Sequence, residues 1–417
     1  MLRLLYNIAL LILVLIYLPK WLWEALRYKK HRRSFLEKLG FHLPEFVFTK
    51  KGPRIWIHSI SMGETKAAIP LIKQLQDSYP TASIVISTIT ETGYVEAGRV
   101  KVDHTFYLPL DFSWTIRKLM HRIKPDLLIL VEGDFWFNLI DLAPRIVLVN
   151  GKISEKSLAR FKKVPFFSKR LFGKIELFCL QSERFKDRFL KLGIDPKRLI
   201  VTGNLKFDQQ FLPIDKTKWQ DTLGISSSDR VLTLGSTHDP EEELLLDALA
   251  PLLQKFPQLK ILVVPRHPER FSQVATLLEK KGIDYNRFSD PVKNKEKRVI
   301  LVDAMGVLSA CYQLSEIAIV GGSFMTRLGG HNIFEPAALG VPVLFGPSMY
   351  SQKDLVELVT QAGAGRAVTI ENVATEVEKL LSSPSRSMHE AGLKLANEMH
   401  GSTSRTFQAL SKLLGVR

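Results

Sequence analysis

The sequence feature that most constrains the fold is an alternation, from about residue 54 onward, between short apolar runs and longer amphipathic segments. The runs are rich in Val, Ile and Leu, as strands buried on both faces are, and the segments between them repeat apolar residues at helical spacing. This order predicts a parallel, doubly wound α/β sheet. We predict strands at Ile55–Ser59, Ile84–Thr88, Leu127–Val131, Ile146–Asn150, Leu177–Leu180, Leu199–Thr202, Val231–Gly235, Leu259–Pro265, Val299–Val302, Ile317–Val320 and Pro342–Phe345.

The alternation stops once, over Phe207–Pro213, and then resumes. A chain of 417 residues is long enough for two or three domains. We therefore predict two α/β domains, residues 26–210 and 211–417, after an N-terminal segment of residues 1–25, and the pattern allows the last helix to cross back to the first domain. The predicted helices include Thr65–Asp77, Thr115–Arg122, Glu241–Lys255, Pro268–Lys280, Val307–Gln313 and a last helix over about Met388–Leu414.

The N-terminal segment predicts a single membrane anchor. Leu4–Leu18 is almost wholly apolar, and Trp21 and Trp23 are typical of the membrane interface. The anchor either spans the bilayer or lies in one leaflet, and the alternative is a helix packed in a protein core. Basic residues after the apolar run predict that the rest of the chain stays in the cytoplasm. These residues are Arg27, Lys29, Lys30, Arg32 and Arg33.

The charge of the chain predicts an anionic partner. Lys and Arg number 58 against 42 Asp and Glu, a formal charge of +16, which suits nucleic acid, acidic lipid or a phosphorylated ligand. Aromatic and basic residues interleave over Phe161–Phe172; we interpret this segment as facing lipid, the alternatives being a nucleic-acid surface or a helix with its rings in the core. Cys179 and Cys311 are too few for a disulfide framework or a structural zinc site.

Three polar groups follow predicted strands of the first domain, where ligands of open α/β sheets bind. Glu64 opens a helix after His58, and its carboxylate is either a general base or a charge that favours a helix N-terminus. Glu132 and Asp134 follow another strand, as functional acids or as a capping pair. Lys206 lies near the domain boundary, facing a ligand or solvent.

The second domain carries a pattern that is typical of nucleotide binding. Arg266 is suited to bind a phosphate, and glycine pairs such as Gly321-Gly322 lead towards a helix whose Glu335 can accept hydrogen bonds from ribose hydroxyls. The pattern is neither GxGxxG nor a Walker motif. We therefore expect a nucleotide-activated donor. No Asp-x-Asp pair follows a strand, so we expect no metal.

Together, these motifs resemble the bacterial 3-deoxy-D-manno-octulosonic acid (Kdo) transferases. The resemblance runs almost from end to end and is most specific in four stretches, His58–Glu64, Gly203–Asp208, Pro265–Phe271 and Val320–Pro336. It implies a GT-B fold with two Rossmann-like domains facing a cleft, the first for the acceptor and the second for the donor. It also implies inverting transfer of Kdo from CMP-Kdo to lipid A precursor (lipid IVA), with no metal and no cofactor, since CMP-Kdo is a substrate.

The resemblance also implies roles for individual residues. Glu64 matches the general base, and Glu132 and Lys206 match positions that stabilise the transition state. The implied partners are CMP-Kdo, the lipid A precursor and an anionic membrane at the cytoplasmic face of the inner membrane, with no nucleic acid. The residues expected to hold CMP are Pro265, Arg266, Met305, Gly306, Val307, Gly322, Ser323, Asn332, Ile333, Phe334 and Glu335.

Two alternative functions remain at the level of the sequence. One is another membrane-associated GT-B glycosyltransferase that uses a different nucleotide sugar, because the fold does not determine the base. The other is a non-catalytic, membrane-tethered protein that binds nucleic acid. The acids at Glu64 and Glu132 count against the second alternative, because they would repel phosphates.

Overall fold

A computed structural model describes residues 1–28, 37–41, 43–208, 211, 213–383 and 386–414. The chain divides into two compact units. Unit 1 comprises Met1–Gln209 and Gly401–Arg417, and unit 2 comprises Gln210–His400.

Unit 1 contains a seven-stranded parallel sheet with the strand order β3-β2-β1-β4-β5-β6-β7. The strands are β1 (Arg54–His58), β2 (Ser83–Thr88), β3 (His104–Tyr107), β4 (Leu127–Val131), β5 (Ile146–Gly151), β6 (Leu177–Leu180) and β7 (Leu199–Val201). The helices of this unit are α1 (Leu2–Tyr28), α2 (Met62–Ser78), α3 (Glu91–Ala97), α4 (Ser113–Ile123), α5 (Phe137–Leu142), α6 (Glu155–Lys163), α7 (Pro165–Gly173) and α8 (Glu183–Leu190).

Helices cover both faces of this sheet, which is why its central strands are continuous apolar runs. Trp56 and Leu128 point into a core on one face, and Ile57 and Ile129 point into a core on the other. Successive side chains of a strand alternate between the faces, so each central strand contributes to both cores. The buried runs therefore place the strand ends, with their polar residues, at one edge of the sheet.

Unit 2 contains a second seven-stranded parallel sheet with the order β10-β11-β9-β8-β12-β13-β14. Its strands are β8 (Arg230–Thr237), β9 (Leu259–Pro265), β10 (Tyr285–Arg287), β11 (Val299–Leu301), β12 (Ile317–Val320), β13 (Val343–Phe345) and β14 (Gly365–Ala367). Its helices are α9 (Lys216–Leu223), α10 (Glu241–Lys255), α11 (Phe271–Lys280), α12 (Leu308–Leu314), α13 (Phe334–Ala338), α14 (Lys353–Gln361), α15 (Val373–Ser382) and α16 (Arg386–Met399).

The prediction of two doubly wound α/β domains is confirmed, but three strands were missed. They are β3, β10 and β14, which have three or four residues and lie at or near the edges of their sheets. Their sequences, HTFY, YNR and GRA, contain no apolar run. An edge strand is less buried than a central one, so it need not be apolar.

The single long helix predicted for the C-terminus is wrong. The chain forms α16 and then α17 (Ser402–Leu414), separated at Gly401, whose φ of +91° a helix does not allow. Asp208 accepts hydrogen bonds from the backbone N–H of Gly401, at 2.7 Å, and of Thr403. This carboxylate caps α17 and ties the last helix to unit 1, where Leu410 is fully buried.

The N-terminal apolar helix is present as α1. Leu2–Trp21 has a mean hydropathy of 2.1 and is long and apolar enough to cross a membrane, and only 6% of this window is buried. Core helices and signal sequences can have the same length and composition. The basic residues predicted to follow the anchor, Lys29, Lys30, Arg32 and Arg33, and the side chain of Arg27, lie outside the described residues.

Candidate active site

The candidate residues of unit 1 gather where the strand order of its sheet reverses. In unit 1 this switch point lies between β1 and β4, and the chain continues from it in opposite directions. Ligands of doubly wound folds bind at the carboxyl ends of the strands at such a point. Glu64 follows β1 and Glu132 follows β4, so the structure brings these two predicted residues to the same switch point.

Glu64 is held in a capping box at the start of α2. One oxygen of its carboxylate accepts a hydrogen bond of 2.6 Å from the backbone N–H of Ile60, and the other accepts one of 3.1 Å from the Ser61 hydroxyl. In return, the Ser61 oxygen accepts a hydrogen bond from the backbone N–H of Glu64. The helix-capping role considered for Glu64 is therefore present, and it fixes the orientation of the carboxylate.

Glu132 is buried and lies between two lysines. Its Oε1 is 2.5 Å from the ammonium group of Lys206, and its Oε2 pairs with Lys152. Burial alone would raise the pKa of Glu132, but the positive charges of Lys206 and Lys152 outweigh burial and lower the pKa below its usual value. The Glu132 carboxylate is therefore charged at neutral pH and holds both ammonium groups at the end of β4.

The switch point has an excess of carboxylates, and this shifts two pKa values upward. Burial, and then the negative charge of Glu132, raise the pKa of Glu64. Burial and the charges of Glu64 and Glu132 raise the pKa of Asp134 to about 7. A raised pKa makes a carboxylate a stronger proton acceptor, which is the property that general base catalysis needs.

Asn150 positions the segment that carries Lys206. It is fully buried at the end of β5 with a positive φ of 52°, and its Oδ1 accepts a hydrogen bond of 3.0 Å from the backbone N–H of Leu205. Its Nδ2 lies 3.4 Å from Glu132 Oε1. One amide side chain thus bridges the end of β4 and the turn that precedes Lys206.

The switch point of unit 2 lies between β8 and β12 and is organised by Glu241. This carboxylate, at the start of α10, is completely buried. It accepts hydrogen bonds of 2.7, 3.0 and 2.9 Å from the backbone N–H groups of Gly322, Ser323 and Phe324. Glu241 therefore shapes the glycine-containing loop after β12, for which a nucleotide-binding role was predicted.

Arg266 lies in a cationic and histidine-rich region of this edge. Nε2 of His238 and Nε2 of His331 are 2.7 Å apart, and the His267 ring packs edge-on against His238. Burial, and then the neighbouring histidine and arginine charges, lower the pKa values of His238 and His331 to about 4. Both rings are therefore neutral at pH 7, and Arg266 supplies positive charge beside them.

The other residues predicted to hold CMP differ in what they expose. Met305 is half exposed next to Gly306, whose φ is +84°. The Ser323 hydroxyl is buried and donates to the Val320 carbonyl while accepting from the Gly346 N–H. Pro265, Ile333 and Phe334 are buried, Val307 packs against the core of unit 2, and Asn332 accepts a hydrogen bond from the Phe334 N–H. Besides Arg266, five of the residues predicted to hold CMP are at least partly exposed. They are Met305, Gly306, Val307, Asn332 and Glu335.

The segment Phe161–Phe172 is interpreted above as facing lipid, but the structure turns most of its rings towards the core of unit 1. Phe172 is fully buried, and Phe161 and Phe167 pack against the core of unit 1. Only Phe166 remains largely exposed, at 72%. The rings pack inward because they lie on the faces of α6 and α7 that meet the core, which was the alternative considered for this segment.

Two further features of the described ranges concern metal binding and thiol chemistry. In these ranges, no three His, Cys, Asp or Glu side chains are grouped as a metal site requires. Cys179 and Cys311 are buried free thiols, and burial raises the pKa of each to about 12.

Comparison with known proteins decides the family. A family model for 3-deoxy-D-manno-octulosonic-acid transferase (kdotransferase) matches residues 33–209. The 3-deoxy-D-manno-octulosonic acid transferase of Chlamydophila psittaci is 34% identical over 98% of this chain and 96% of its own length. The chain belongs to the Kdo transferase family. The transferase of Haemophilus influenzae is also similar, with 33% identity over 92% of each chain.

The fold of this Kdo transferase is similar to that of UDP-GlcNAc 2-epimerase from Neisseria meningitidis, solved with UDP-GlcNAc bound. The two are 17% identical, with a TM-score of 0.62, over 87% of this chain and 100% of that chain. The likeness concerns the fold alone, and it agrees with the prediction of a GT-B-like pair of Rossmann-like domains.

Several residues of the two switch points were not predicted from the sequence, among them Lys152, which pairs with Glu132. Asn150 and Glu241 accept hydrogen bonds from backbone N–H groups. His238, which follows β8, meets His331, which lies in the loop after β12. The sequence held a signal for Asn150, because this polar residue comes at the end of an apolar run, just as Glu132 comes directly after one. It held none for Glu241, which lies within an acidic run, Glu241-Glu242-Glu243, on a predicted helix.

Proposed function

We propose that this protein transfers Kdo from CMP-Kdo to a lipid A precursor (lipid IVA), with inversion at the anomeric carbon and without a divalent metal. The reaction takes place at the cytoplasmic face of the bacterial inner membrane, to which α1 attaches the chain. The observation that carries the proposal is the switch point of unit 1, where the oriented Glu64 carboxylate lies beside the Glu132–Lys206 ion pair. Membership of the Kdo transferase family supports the choice of sugar.

Glu64 is the general base in this proposal. The acceptor hydroxyl gives its proton to the Glu64 carboxylate as its oxygen forms a bond to the anomeric carbon of Kdo. The bond from that carbon to the CMP phosphate breaks, and its electron pair leaves with CMP. A raised pKa makes Glu64 a stronger base than an exposed glutamate, and the hydrogen bonds from Ile60 and Ser61 hold it in one orientation.

Glu132 and Lys206 act as a pair, with Lys152 as the second cation. A carboxylate between two ammonium groups has its own charge compensated, so its contribution is to fix the lysines in position. The lysines then stabilise negative charge on the donor carboxylate or the departing phosphate. Of the two roles considered for Glu132, orientation of its neighbours therefore fits the ion pairs better than direct stabilisation of a positive sugar ring.

Unit 2 binds the CMP part of the donor. Arg266 binds the phosphate. The neutral His238 and His331 share a hydrogen bond through their Nε2 atoms, so one of the two rings keeps an N–H group that can also donate to the phosphate. Backbone groups of Met305, Gly306 and Val307 contact the nucleotide, and Glu335 binds the ribose. The loop at Gly322, whose N–H groups are bound by Glu241, gives the site its shape. These cations and donors offset the charge of the leaving group, so the proposal includes no metal ion.

The test is a transfer assay on the full-length protein. CMP-Kdo, generated in situ, is incubated with lipid IVA, and the products are weighed by mass spectrometry in the presence and absence of EDTA. We expect Kdo to be added in both conditions, and transfer from UDP-GlcNAc to be absent. Transfer from UDP-GlcNAc alone would favour the alternative of another nucleotide-sugar donor.

A second measurement tests the base. Glu64→Gln keeps the size of the side chain and one acceptor oxygen, so the protein should fold and bind CMP normally. Its kcat should fall by roughly a hundred- to ten-thousandfold, the usual contribution of a general base. Glu91→Gln, at the start of α3 in the same unit, is the matched control, for which kcat should not change. A Glu64→Gln enzyme with normal kcat would remove Glu64 from the mechanism.

A further inference from the structure

The helix α1 is bound to unit 1 through the polar side chains of its first two turns. Arg3 forms an ion pair with Asp141, whose side chain is only 2% exposed, and its Nε donates to Asp141 over 3.1 Å. Asn7 donates to the Ser113 hydroxyl over 2.8 Å and accepts from Asn138 over 2.9 Å. The N-terminal end of α1 is thus attached to the start of α4 and to both ends of the short helix α5, through partners that are buried.

The rest of α1 continues this arrangement along its length. The less exposed residues recur at helical spacing, at Arg3, Asn7, Leu10, Val14 and Leu18. The opposite face is apolar and open. Its residues include Leu5, Ile8, Ile12 and Ile16, with exposures of 55%, 46%, 53% and 64%. The helix α1 is mostly apolar, but it packs as an amphipathic helix does: its polar residues Arg3 and Asn7 face the protein, and its opposite, apolar face is exposed.

This attachment is incompatible with a helix that crosses the bilayer away from unit 1. A helix of 27 residues is about 40 Å long, so a spanning α1 would carry Arg3 to the far side of the membrane. The ion pair to Asp141 and the hydrogen bonds of Asn7 would then be lost. Asp141 would keep only Arg170, 2.9 Å away, and two polar side chains of α1 would lose their buried partners.

The surface beside the attached end of α1 is also suited to lipid. Trp114 follows Ser113, which Asn7 contacts, and its ring is 51% exposed. The exposed Val164 and Phe166 lie in the segment that leads to Arg170, the second partner of Asp141. Exposed cations accompany these apolar residues, namely Lys162, Lys163, Lys169, Arg117 and Lys118. Apolar side chains with a surrounding positive charge match the interface of an anionic membrane.

We propose that α1 does not cross the bilayer but lies in the plane of one leaflet, and that its exposed face forms one continuous membrane-binding surface with Trp114, Val164, Phe166 and the neighbouring lysines. The occupant of this surface is a leaflet that contains anionic phospholipid. The inference rests on the membrane attachment proposed above, and it replaces the choice between a spanning and an interfacial anchor. The membrane then holds unit 1, including its switch point, through α1 and through the surface next to it.

The orientation is tested by measuring depth. Spin labels are attached to full-length Leu5→Cys, Ile12→Cys and Ile16→Cys variants, since the native cysteines are buried, and the protein is bound to vesicles of phosphatidylethanolamine and phosphatidylglycerol. We expect the three labels at the same depth within about 4 Å. In a spanning helix, residues 5 and 12 are separated by about 10 Å along the axis. A label at residue 12 that lies deeper than both others by about 6–10 Å would overturn the proposal.

The charged part of the surface is tested by vesicle flotation. Replacing Lys162, Lys163 and Lys169 together with Gln should weaken binding to the same vesicles at least tenfold at physiological salt, because each lysine near an anionic surface contributes about 1 kcal/mol. The matched control replaces Lys255, Lys379 and Lys394 of unit 2, which are also exposed, and should bind as the wild type does. Equal binding of the two triple variants would overturn the proposed surface. Neither measurement uses sugar transfer, so a failed orientation is distinguishable from a failed enzymatic activity.

Discussion

Lys206 and Glu132 form a 2.5 Å ion pair although their segments follow strands that are three positions apart in the sheet of unit 1. Lys206 lies in a 3-10 turn after the edge strand β7, and Glu132 follows the central strand β4. The chain therefore returns from the edge of the sheet across the strand ends to the switch point. Asn150 supports this return through its hydrogen bond to the backbone at Leu205.

The ion pair predicts the effect of removing one cation. Lys206→Met keeps most of the packing of the side chain but leaves Glu132 with Lys152 alone, so the pKa of Glu132 should rise. We expect kcat for Kdo transfer to fall at least tenfold and the melting temperature to fall as well, because the buried Glu132 carboxylate loses one of its two cations. Lys174→Met, an exposed lysine of the same unit, is the control. Unchanged turnover of the Lys206 variant would show that the pair is only structural.

Asp134 should destabilise the folded protein at neutral and alkaline pH. Its pKa rises from 3.8 to about 7 on folding, through burial and the charges of Glu64 and Glu132. The folded state then binds the proton more tightly than the unfolded state does, so stability is lost as pH rises from about 4 to 7. At pH 8, Asp134→Asn should have a free energy of unfolding about 1–3 kcal/mol higher than the wild type, a value below the full shift because Asp134 is partly open to water.

Urea denaturation at several pH values measures this difference. The gain of Asp134→Asn should decrease as pH falls and vanish near about pH 3, below both pKa values, where the wild-type carboxyl group is protonated in both states. Asp77→Asn, at an exposed position of α2, is the control for the exchange of a carboxylate for an amide. A gain that is constant over this range would mean that packing, and not charge, is responsible.

Most of both sheets could be predicted because hydrophobic burial is encoded locally. The central strands are covered on both faces, so each appears as an uninterrupted apolar run, such as Leu127–Val131 or Leu259–Pro265. The edge strands β3, β10 and β14 lack this requirement and carry no comparable signal. The break between α16 and α17 depends on one residue, Gly401, which has a positive φ. The helical pattern continues on both sides of Gly401, so the sequence does not reveal the break.

Several candidate residues were predictable because they follow a predicted strand: Glu132 and Arg266 come directly after one, and Glu64 opens the helix after another. Asn150 also ends a predicted strand, but its role and that of Glu241 could not be predicted, because their partners are backbone N–H groups that come together only in the folded chain. Their burial gives a physical reason for their presence, but the partners lie 55 and 82 residues away in sequence, beyond what a local pattern can report.

Arg266 should contribute to the affinity for the nucleotide. Replacing an arginine that binds a phosphate with alanine removes a charge-assisted hydrogen bond worth about 1.5–3 kcal/mol. The Kd of Arg266→Ala for CMP, measured by isothermal titration calorimetry, should therefore increase roughly ten- to a hundredfold. Arg386→Ala, an exposed arginine of α16 in the same unit, should bind CMP as the wild type does. Equal affinities of both variants would separate Arg266 from the nucleotide site.

Glu241 should be required for the shape of the loop that follows β12. Its two carboxylate oxygens accept from three backbone N–H groups of that loop and from the backbone N–H of His238. Glu241→Gln keeps only one acceptor oxygen and introduces an amide donor where these four donors converge. Buried donors would then lose their partners, at a cost of about 1–3 kcal/mol each. We expect a lower melting temperature and a CMP affinity at least tenfold weaker, whereas Glu243→Gln, two residues further along the same helix and partly exposed, should alter neither. If Glu241→Gln lowered the melting temperature but bound CMP normally, the loop would be a structural feature of unit 2 and would not form part of the nucleotide site.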